Sequence, residues 1–271
     1  MSKLKIVYIS SLGHSGSTLL DVILNQHHDV QSSGEVMFHD EWVNKNLRCT
    51  CKKLMNKCSF WTSILDENFK KLGSVNEIEY LNNSFELFNN IKKSTGKNII
   101  IDSSKSNDRL NILLQDRRLE IKVIHLIRNG YGVINSISKS HHRPAKSNNN
   151  QKTIPVNILI GILRWIRRNL ALKRLMEKHR INDYLQIRYE DLCEKPMSEI
   201  KKLCEFIDID FQEEMAKPKL LNCHNIGGSR WRFSDKPIQI NLDEKWRAEL
   251  GRGSKFLFML FAGWLNKIYG Y

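Results

Sequence analysis

The chain has 271 residues, 41% of them hydrophobic, with 43 Lys+Arg against 29 Asp+Glu and a formal net charge of +14. Such a length suits one large core or two small ones, and no segment is long enough to span a bilayer: the best candidate, FLFMLFAGWL at 256–265, falls short of the roughly 20 residues required. The positive excess favours anionic partners such as nucleotides, nucleic acid, sulfated or phosphorylated substrates, or acidic lipid, but neither RNP-type interleaving of aromatic and basic residues nor zinc-finger spacing accompanies it.

The N-terminus, MSKLKIVYISSLG, runs straight into a patterned strand and does not read as a signal peptide, which points to a cytoplasmic protein. The first predicted strand is 5–9. A helix follows over 17–26, with Leu19, Leu20, Ile23 and Leu24 on one face. A short strand is predicted at 30–33, and residues 36–60 read as irregular. Helical spacing covers 61–72 and 77–94, the second with Leu81, Phe85, Phe88 and Ile91 on one stripe. Gly96 ends it. A strand at 97–102, a helix at 106–117, a strand at 121–127 and a helix at 129–140 follow. Residues 141–152, HHRPAKSNNNQK, hold only Ala145 as an apolar residue and read as a mobile loop. A long amphipathic helix is expected over 154–178 and a strand over 184–188. Further helical pieces fall at 196–207 and 243–250, with the loop NIGGSRWRF between them. The apolar run at 256–265 reads as a buried or dimer-forming terminal helix, so a homodimer is one expectation.

Strands alternating with helices predict an α/β fold with a mainly parallel sheet. Ligands bind such sheets outside the carboxyl ends of the strands, and the polar clusters fall there. His14–Thr18 follows the first strand and Glu35 the second. Asp102–Lys105 follows the third and Arg128 the fourth. No internal repeat or second domain boundary is visible, so 1–271 is expected to form a single domain.

Of the six cysteines, Cys193, Cys204 and Cys223 are scattered, whereas Cys49, Cys51 and Cys58 cluster in RCTCKKLMNKCSFW. Three thiols could bind zinc with a fourth ligand such as His39. Cys-x-Cys with a lone third Cys is not a recognised zinc spacing, however. The reading taken is a local structural role, as thiols or a labile disulfide, and no metal is expected.

The loop GHSGST (13–18) offers backbone N–H groups, two hydroxyls and a helix N-terminus, all suited to an anion. An ordinary strand–helix turn with a Ser/Thr cap is the plainer alternative. It is not an ATPase loop: G-x-x-x-x-G-K-[ST] counted from Gly13 puts Thr18 where the second glycine belongs, and no lysine follows. In VIHLIRNGYGVINSISKS, Arg128 stands at a strand end, and Ser136 lies about two turns along the next helix. An Arg fork and a hydroxyl together can hold a second phosphate. Alone, Arg128 would read as a surface ion pair. Two anion sites at one sheet edge imply a ligand with two separated phosphates.

GHSGSTLL and RNGYGVINS, in this order and context, resemble the sulfotransferases that use 3′-phosphoadenosine 5′-phosphosulfate (PAPS). Their [PG]-x-S-G-[ST]-T loop holds the 5′-phosphosulfate, and a later R-[DN]-x…S segment holds the 3′-phosphate. IRYEDLCEKPMSEIKKLCEFIDIDF is similar to the family's RYEDL-x(3)-P stretch. SSGE resembles the segment of tyrosylprotein and related sulfotransferases that carries a catalytic glutamate. CTC…CSFW and LNKIYGY are similar to bacterial members.

The resemblance implies a three-layer, P-loop-NTPase-like fold whose central, mainly parallel sheet is flanked by helices. It also implies a reaction that moves a sulfuryl group from PAPS, as co-substrate, without a metal. Ser15, Gly16, Ser17 and Thr18 match the phosphosulfate loop, and Arg128 and Ser136 the 3′-phosphate site. Glu35 matches the glutamate that takes the acceptor's proton; on residues alone it reads equally well as a capping or ion-paired glutamate. Lys105, in IDSSK, matches a lysine that stabilises charge on the sulfate or the leaving oxygen. His14 stands where many relatives carry Lys or Arg, and its role is an acid, a base or only a hydrogen-bond donor. Tyr189, Gly228, Ser229 and Arg230 are expected to close over the adenosine, with Arg232 and Lys236 as nearby alternatives. The expected acceptor is a small molecule, with carbohydrate or peptidyl tyrosine as runner-up. Two other classes stay open: a nucleotide kinase with Asp102 as magnesium ligand, and a basic nucleic-acid binder. Against these, the working expectation is an enzyme with neither a nucleic-acid partner nor a membrane span.

Overall fold

Five strands form one parallel sheet in the order β2-β3-β1-β4-β5. They are β1 (Leu4–Ser10), β2 (Val30–Ser32), β3 (Ile99–Asp102), β4 (Leu119–Ile127) and β5 (Leu185–Arg188). The computed structural model describes residues 3–64, 72–73, 75–141, 158–181, 184–220 and 223–271. Among these the helices are α1 (Ser17–Leu24), α2 (His39–Asn44), α3 (Ser59–Ile64), α4 (Glu77–Thr95), α5 (Asn107–Leu113), α6 (Gly130–His141), α7 (Ile158–Lys178), α8 (Tyr189–Glu194), α9 (Pro196–Ile207), α10 (Trp246–Glu249) and α11 (Arg252–Ile268).

The central place of β1 follows from its composition. LKIVYIS is apolar on both faces, as a strand covered on both sides must be. It pairs with β3 from Lys5–Ile99 to Tyr8–Asp102 and with β4 from Leu4–Leu119 to Ser10–His125. Successive side chains point to opposite faces, so the strand feeds two cores. Ile6 and Tyr8 meet Ile100, Val123 and the apolar stripes of α4, α5 and α7. Val7 and Ile9 meet Ile101, Ile124, Leu126 and the apolar faces of α1, α8 and α9. A third cluster joins α6, α7 and α11 through Val133, Trp165, Phe258 and Leu265.

Local signals set several ends. The Asn76 side chain accepts the Glu79 N–H at 3.0 Å and caps α4, and Gly96 closes it in the left-handed region at φ 70°. Ser106 caps α5.

The region 36–60 is more ordered than its sequence implied. It holds α2, one-turn 3-10 segments at Val36–Phe38 and Met55–Lys57, and the start of α3. These pieces are too short to show periodicity, and they are organised by burial of Cys49, Met55, Cys58 and Trp61. The predicted helix 243–250 shortens to α10. Of the helix expected at 61–72, residues 65–71 lie outside the described residues, as do 142–157, which include nearly all of the expected mobile loop and the start of the 154–178 helix. Helix α11 buries Phe258, Ala262 and Leu265 and exposes Phe256, Met259, Leu260, Trp264 and Ile268. Among the described residues no helix is long and apolar enough to cross a membrane.

Candidate active site

The loop after β1 turns into α1 through two left-handed residues, His14 (φ 71°) and Gly16 (φ 93°). Gly16 is required twice over. Its backbone conformation suits glycine, and a Cβ there would lie 2.4 Å from the Tyr189 ring. No side chain caps α1, and uncapped first-turn N–H groups are suited to an anion. Ser15 and Ser17 are buried, and His14 is exposed. The Thr18 hydroxyl accepts the Ser229 N–H at 3.0 Å.

Beside this loop the ends of β2 and β3 bring together Glu35 and Lys105, which form an ion pair with each side chain 14% exposed. Lys105 is itself left-handed (φ 67°). Arg168, from α7, donates to the carbonyls of Ser11 (3.2 Å) and Lys105. It thereby ties the loop after β1 to the lysine. The other wall is the glycine loop 225–228. The Ile226 carbonyl accepts the Glu35 N–H at 2.7 Å. Gly227 is left-handed, and a Cβ there would sit 2.7 Å from the Glu35 Cβ. That close approach holds the carboxylate toward Lys105.

Arg128 is buried at the end of β4. It donates to the His14 carbonyl (3.0 Å), the Asp243 carbonyl (2.8 Å) and the Asp243 carboxylate (3.1 Å). Its guanidinium carbon stands 4.7 Å from the centre of the Tyr189 ring, so Tyr189 lies between Gly16 and Arg128. Burial pushes the Asp243 carboxyl up, but the bonds from Arg128 and the Lys245 backbone hold it below its ordinary value. Ser136 donates back to the Gly132 carbonyl at 3.0 Å, one turn from the surface that Gly132 presents to the Arg128 fork.

Residues 228–232 divide unexpectedly. Arg230 is exposed, whereas Arg232 is 3% exposed. The Arg232 guanidinium lies over the rings of Trp42 (4.9 Å) and Phe233 (4.4 Å), and its buried Nε has no hydrogen-bond partner. A Cβ at Gly228 would lie 3.0 Å from the Thr18 hydroxyl and 3.5 Å from Arg232 Nη1. Arg232 Nη1 and the Thr18 hydroxyl therefore border the same point beside Gly228. Burial pulls its pKa down, opposed by Glu35. A buried cation with an unpartnered donor suits an anionic ligand.

Asp21 was not singled out from the sequence, although an acid amid Leu20, Val22 and Ile23 was a visible signal. It is 2% exposed and accepts from Ser103 Oγ and Asn225 Nδ2, each at 2.8 Å. One buried carboxylate thus links the end of β3 to the glycine loop. Burial pushes its pKa up to about 6 against hydrogen bonds from Ser32 and Ser103. An acid with a raised folded pKa keeps its proton where the unfolded chain has released it. Its contribution is therefore fully present below about pH 4 and is lost as pH rises to about 6. Asp21→Asn should gain on the wild type by about 2–3 kcal/mol between pH 4 and pH 7, read as the difference in urea unfolding free energies. Buried His125, pulled down by burial to about 4, titrates alike in both proteins and cancels. A difference independent of pH would show that Asp21 titrates normally.

Asp102 is not available to magnesium. It is wholly buried and bound to Arg109 Nε at 2.7 Å, which removes the ligand that the kinase reading needs. At the thiol cluster, the histidine differs from the one the sequence offered as a fourth ligand. The six cysteines are all free. His39 bonds Asp40 (3.0 Å), and the imidazole that meets Cys49 and Cys58 is that of His224.

The model of the sulfotransferase family matches residues 7–213. Among solved structures, the chain is similar to the sulfotransferase domain from the Synechococcus PCC 7002 olefin synthase, at 22% identity and a TM-score of 0.60, covering 100% of this chain and 96% of that one. The sulfotransferase domain from the curacin biosynthetic pathway is 19% identical with a TM-score of 0.52, covering 96% of this chain and 97% of that one. A mouse sulfotransferase complexed with PAP is 12% identical with a TM-score of 0.56, covering 100% of this chain and 91% of that one. A sequence search of curated proteins finds no match. At these identities the structural likenesses speak for the fold alone: a parallel α/β sheet flanked by helices.

Proposed function

The chain belongs to the sulfotransferase family, and on that premise we propose that it moves the sulfuryl group of PAPS to a hydroxyl or amine of a small-molecule acceptor. The observation that carries this reading is the Glu35–Lys105 pair beside a phosphate loop that has no lysine of its own. A sulfuryl group carries less charge than a terminal phosphoryl, so fixed hydrogen bonds and cationic side chains can replace a magnesium clamp.

In this reading Glu35 takes the acceptor's proton as the new S–O or S–N bond forms. The bond from sulfur to the 5′-phosphate oxygen breaks, and PAP leaves. Lys105 has three donors, so it can keep Glu35 while offering an N–H to the sulfuryl oxygens. The loop 15–18 holds the 5′-phosphate, and Arg232 is placed to add charge there. Arg128 and Ser136 take the 3′-phosphate, with Asp243, its carboxylate 40% exposed, giving way. His14 acts through its carbonyl, which Arg128 holds. Tyr189, Gly228, Ser229 and the exposed Arg230 border the adenosine. Domains from an olefin synthase and the curacin pathway among the similar structures favour a natural-product alcohol, phenol or amine. We read 1–271 as one cytoplasmic domain, and the apolar stripe left open on α11 as the face a homodimer would cover.

Incubation with PAPS and a panel of alcohols, phenols, amines, sugars and tyrosyl peptides, followed by mass spectrometry, tests the reaction. Sulfated sugar or peptide as the main product would move the acceptor class. Absence of both sulfated product and PAP would sink the proposal. The 3′-phosphate site has a sharper test, because adenosine 5′-phosphosulfate differs from PAPS only by that group. A buried charge-assisted hydrogen bond is worth about 1.5–3 kcal/mol, and a fork makes up to two. Arg128→Ala should weaken PAPS by roughly 10- to 10³-fold and barely change the shorter compound, so the preference collapses. Ser136→Ala should do the same by a smaller factor. Equal weakening of both ligands would mean that Arg128 only braces the His14 loop.

A further inference from the structure

Cys49, Cys51, Cys58 and His224 converge on one point: their four ligand atoms all lie within 4.8 Å of one another. His224 Nδ1 is 3.3 Å from Cys58 Sγ and 3.8 Å from Cys49 Sγ, and the Cys51 and Cys58 sulfurs are 3.6 Å apart. A tetrahedral zinc with ordinary bond lengths has S···S edges of about 3.8 Å and S···N edges of about 3.6 Å. These three separations fall around those edges. We propose that these four residues bind one structural zinc ion, which staples the cysteine segment to the loop that carries the wall of the active site.

The chemistry of the donors selects the metal. Thiolates and an imidazole suit zinc and exclude magnesium and calcium, which take oxygen ligands. Four protein donors leave no open position, so the site is structural. A disulfide would use two of the thiols and leave the third and the imidazole without a reason to meet there. Binding displaces the thiol protons to solvent, and three thiolates with one dication leave a net charge of −1. Lys52, Lys53 and Lys57 lie within the same short segment.

The local fold presents the ligands. Cys49 and Lys53 pair across a tight turn, with the Cys49 N–H on the Lys53 carbonyl (2.9 Å) and the Lys52 N–H on the Cys49 carbonyl (2.8 Å). Lys52 is left-handed at φ 67°. The turn carries Cys49 and Cys51, and Cys58 stands just before α3. His224 arrives from 166 residues away. Phe60 stacks flat on its ring at 4.8 Å, and Trp61 Nε1 donates to its carbonyl at 2.8 Å, so the ring is held in place by the cysteine segment itself.

The residues directly after His224 carry the staple into the active site. Asn225 bonds Asp21, and its carbonyl accepts the Thr50 hydroxyl at 3.1 Å. Ile226 and Gly227 back Glu35, and Gly228 and Ser229 meet Thr18. A metal that closes so long a loop restrains the chain where both halves of the site meet. The metal site stands without the transfer reaction. Only its expected effect on turnover rests on Glu35 as the base.

The test is metal analysis of the full chain purified without chelator or added metal, with about one zinc per chain expected. Cys58→Ser and His224→Ala should lose it, whereas Cys223→Ser, which alters the neighbouring buried thiol outside the cluster, should keep it. If the first two variants do not fold, the wild type still decides. Titration with a thiol-reactive mercurial should release zinc together with three thiols, and cobalt(II) exchanged into the site should show a sulfur-to-cobalt charge-transfer band and tetrahedral visible bands. Zinc loss with donor binding retained but turnover lowered would place the effect at Glu35. The proposal is overturned if the wild type holds no metal and takes up no cobalt, if its mass reveals a disulfide among the three cysteines, or if zinc persists in both Cys58→Ser and His224→Ala.

Discussion

Glu35→Gln should lower turnover by roughly 10²- to 10⁴-fold, the usual worth of a positioned general base, while PAPS binding stays near the wild-type value. The amide keeps the size of the side chain and can still accept from Lys105, so the ion pair is replaced by a hydrogen bond and the glycine loop need not move. What is lost is a carboxylate able to take a proton. Calorimetry with PAP or PAPS and single-turnover rates separate the two effects. Lys105→Met provides the contrast. In the proposed reaction its charge is needed most as the sulfate leaves, so turnover should fall more than donor affinity, and the substitution also strands Glu35 without its cation. Turnover near the wild-type rate in Glu35→Gln would remove Glu35 from the chemistry and leave it as a structural partner of Lys105.

The second large effect is on stability. Arg109→Ala should cost about 3–5 kcal/mol, because removing one member of a buried ion pair leaves the other charge uncompensated. Asp102 and Arg109 are 0% and 1% exposed. The guanidinium also bonds the Tyr80 hydroxyl (2.6 Å) and Ser84 (3.1 Å). Asp102 meanwhile accepts the Ser104 N–H at 2.9 Å and so shapes the turn that delivers Lys105. Urea unfolding measures the loss. Adding Asp102→Asn to the variant should recover part of it, because the amide oxygen keeps the Ser104 bond and the stranded charge is gone. A loss below about 1 kcal/mol for Arg109→Ala would mean that water reaches Asp102 easily.

Much of the fold was legible because it is local. The run KIVYI, the 3.6-residue spacing of Leu81, Phe85, Phe88 and Ile91, and the stop at Gly96 each declare an element within a few residues. The same holds for the loop GHSGST and for RNGYGVINS, whose glycines and polar residues sit at fixed offsets from a strand end. Where the pattern was too short to repeat, as in 36–60, the sequence looked irregular and burial decided otherwise.

By itself, then, the sequence determined the alternation of strands and helices, the loops GHSGST and RNGYGVINS, and the edge of the sheet on which they lie. Tertiary structure alone decided which side chains meet there. Glu35 and Lys105 are 70 residues apart in the chain, and they touch because β3 lies between β2 and β1 and both turns leave at the same edge. Arg232 rather than Arg230 is the buried arginine beside Gly228, because the 3-10 turn at Arg230–Phe233 sends one arginine onto Trp42 and the other to solvent. His224 rather than His39 joins the thiols, because the segment after it, whose Ile226 bridges to Gly34 beside Glu35, passes over the cysteine turn. Periodicity reports which face a residue occupies in its own element. It carries no record of which distant loop the packing of two cores will place against that face.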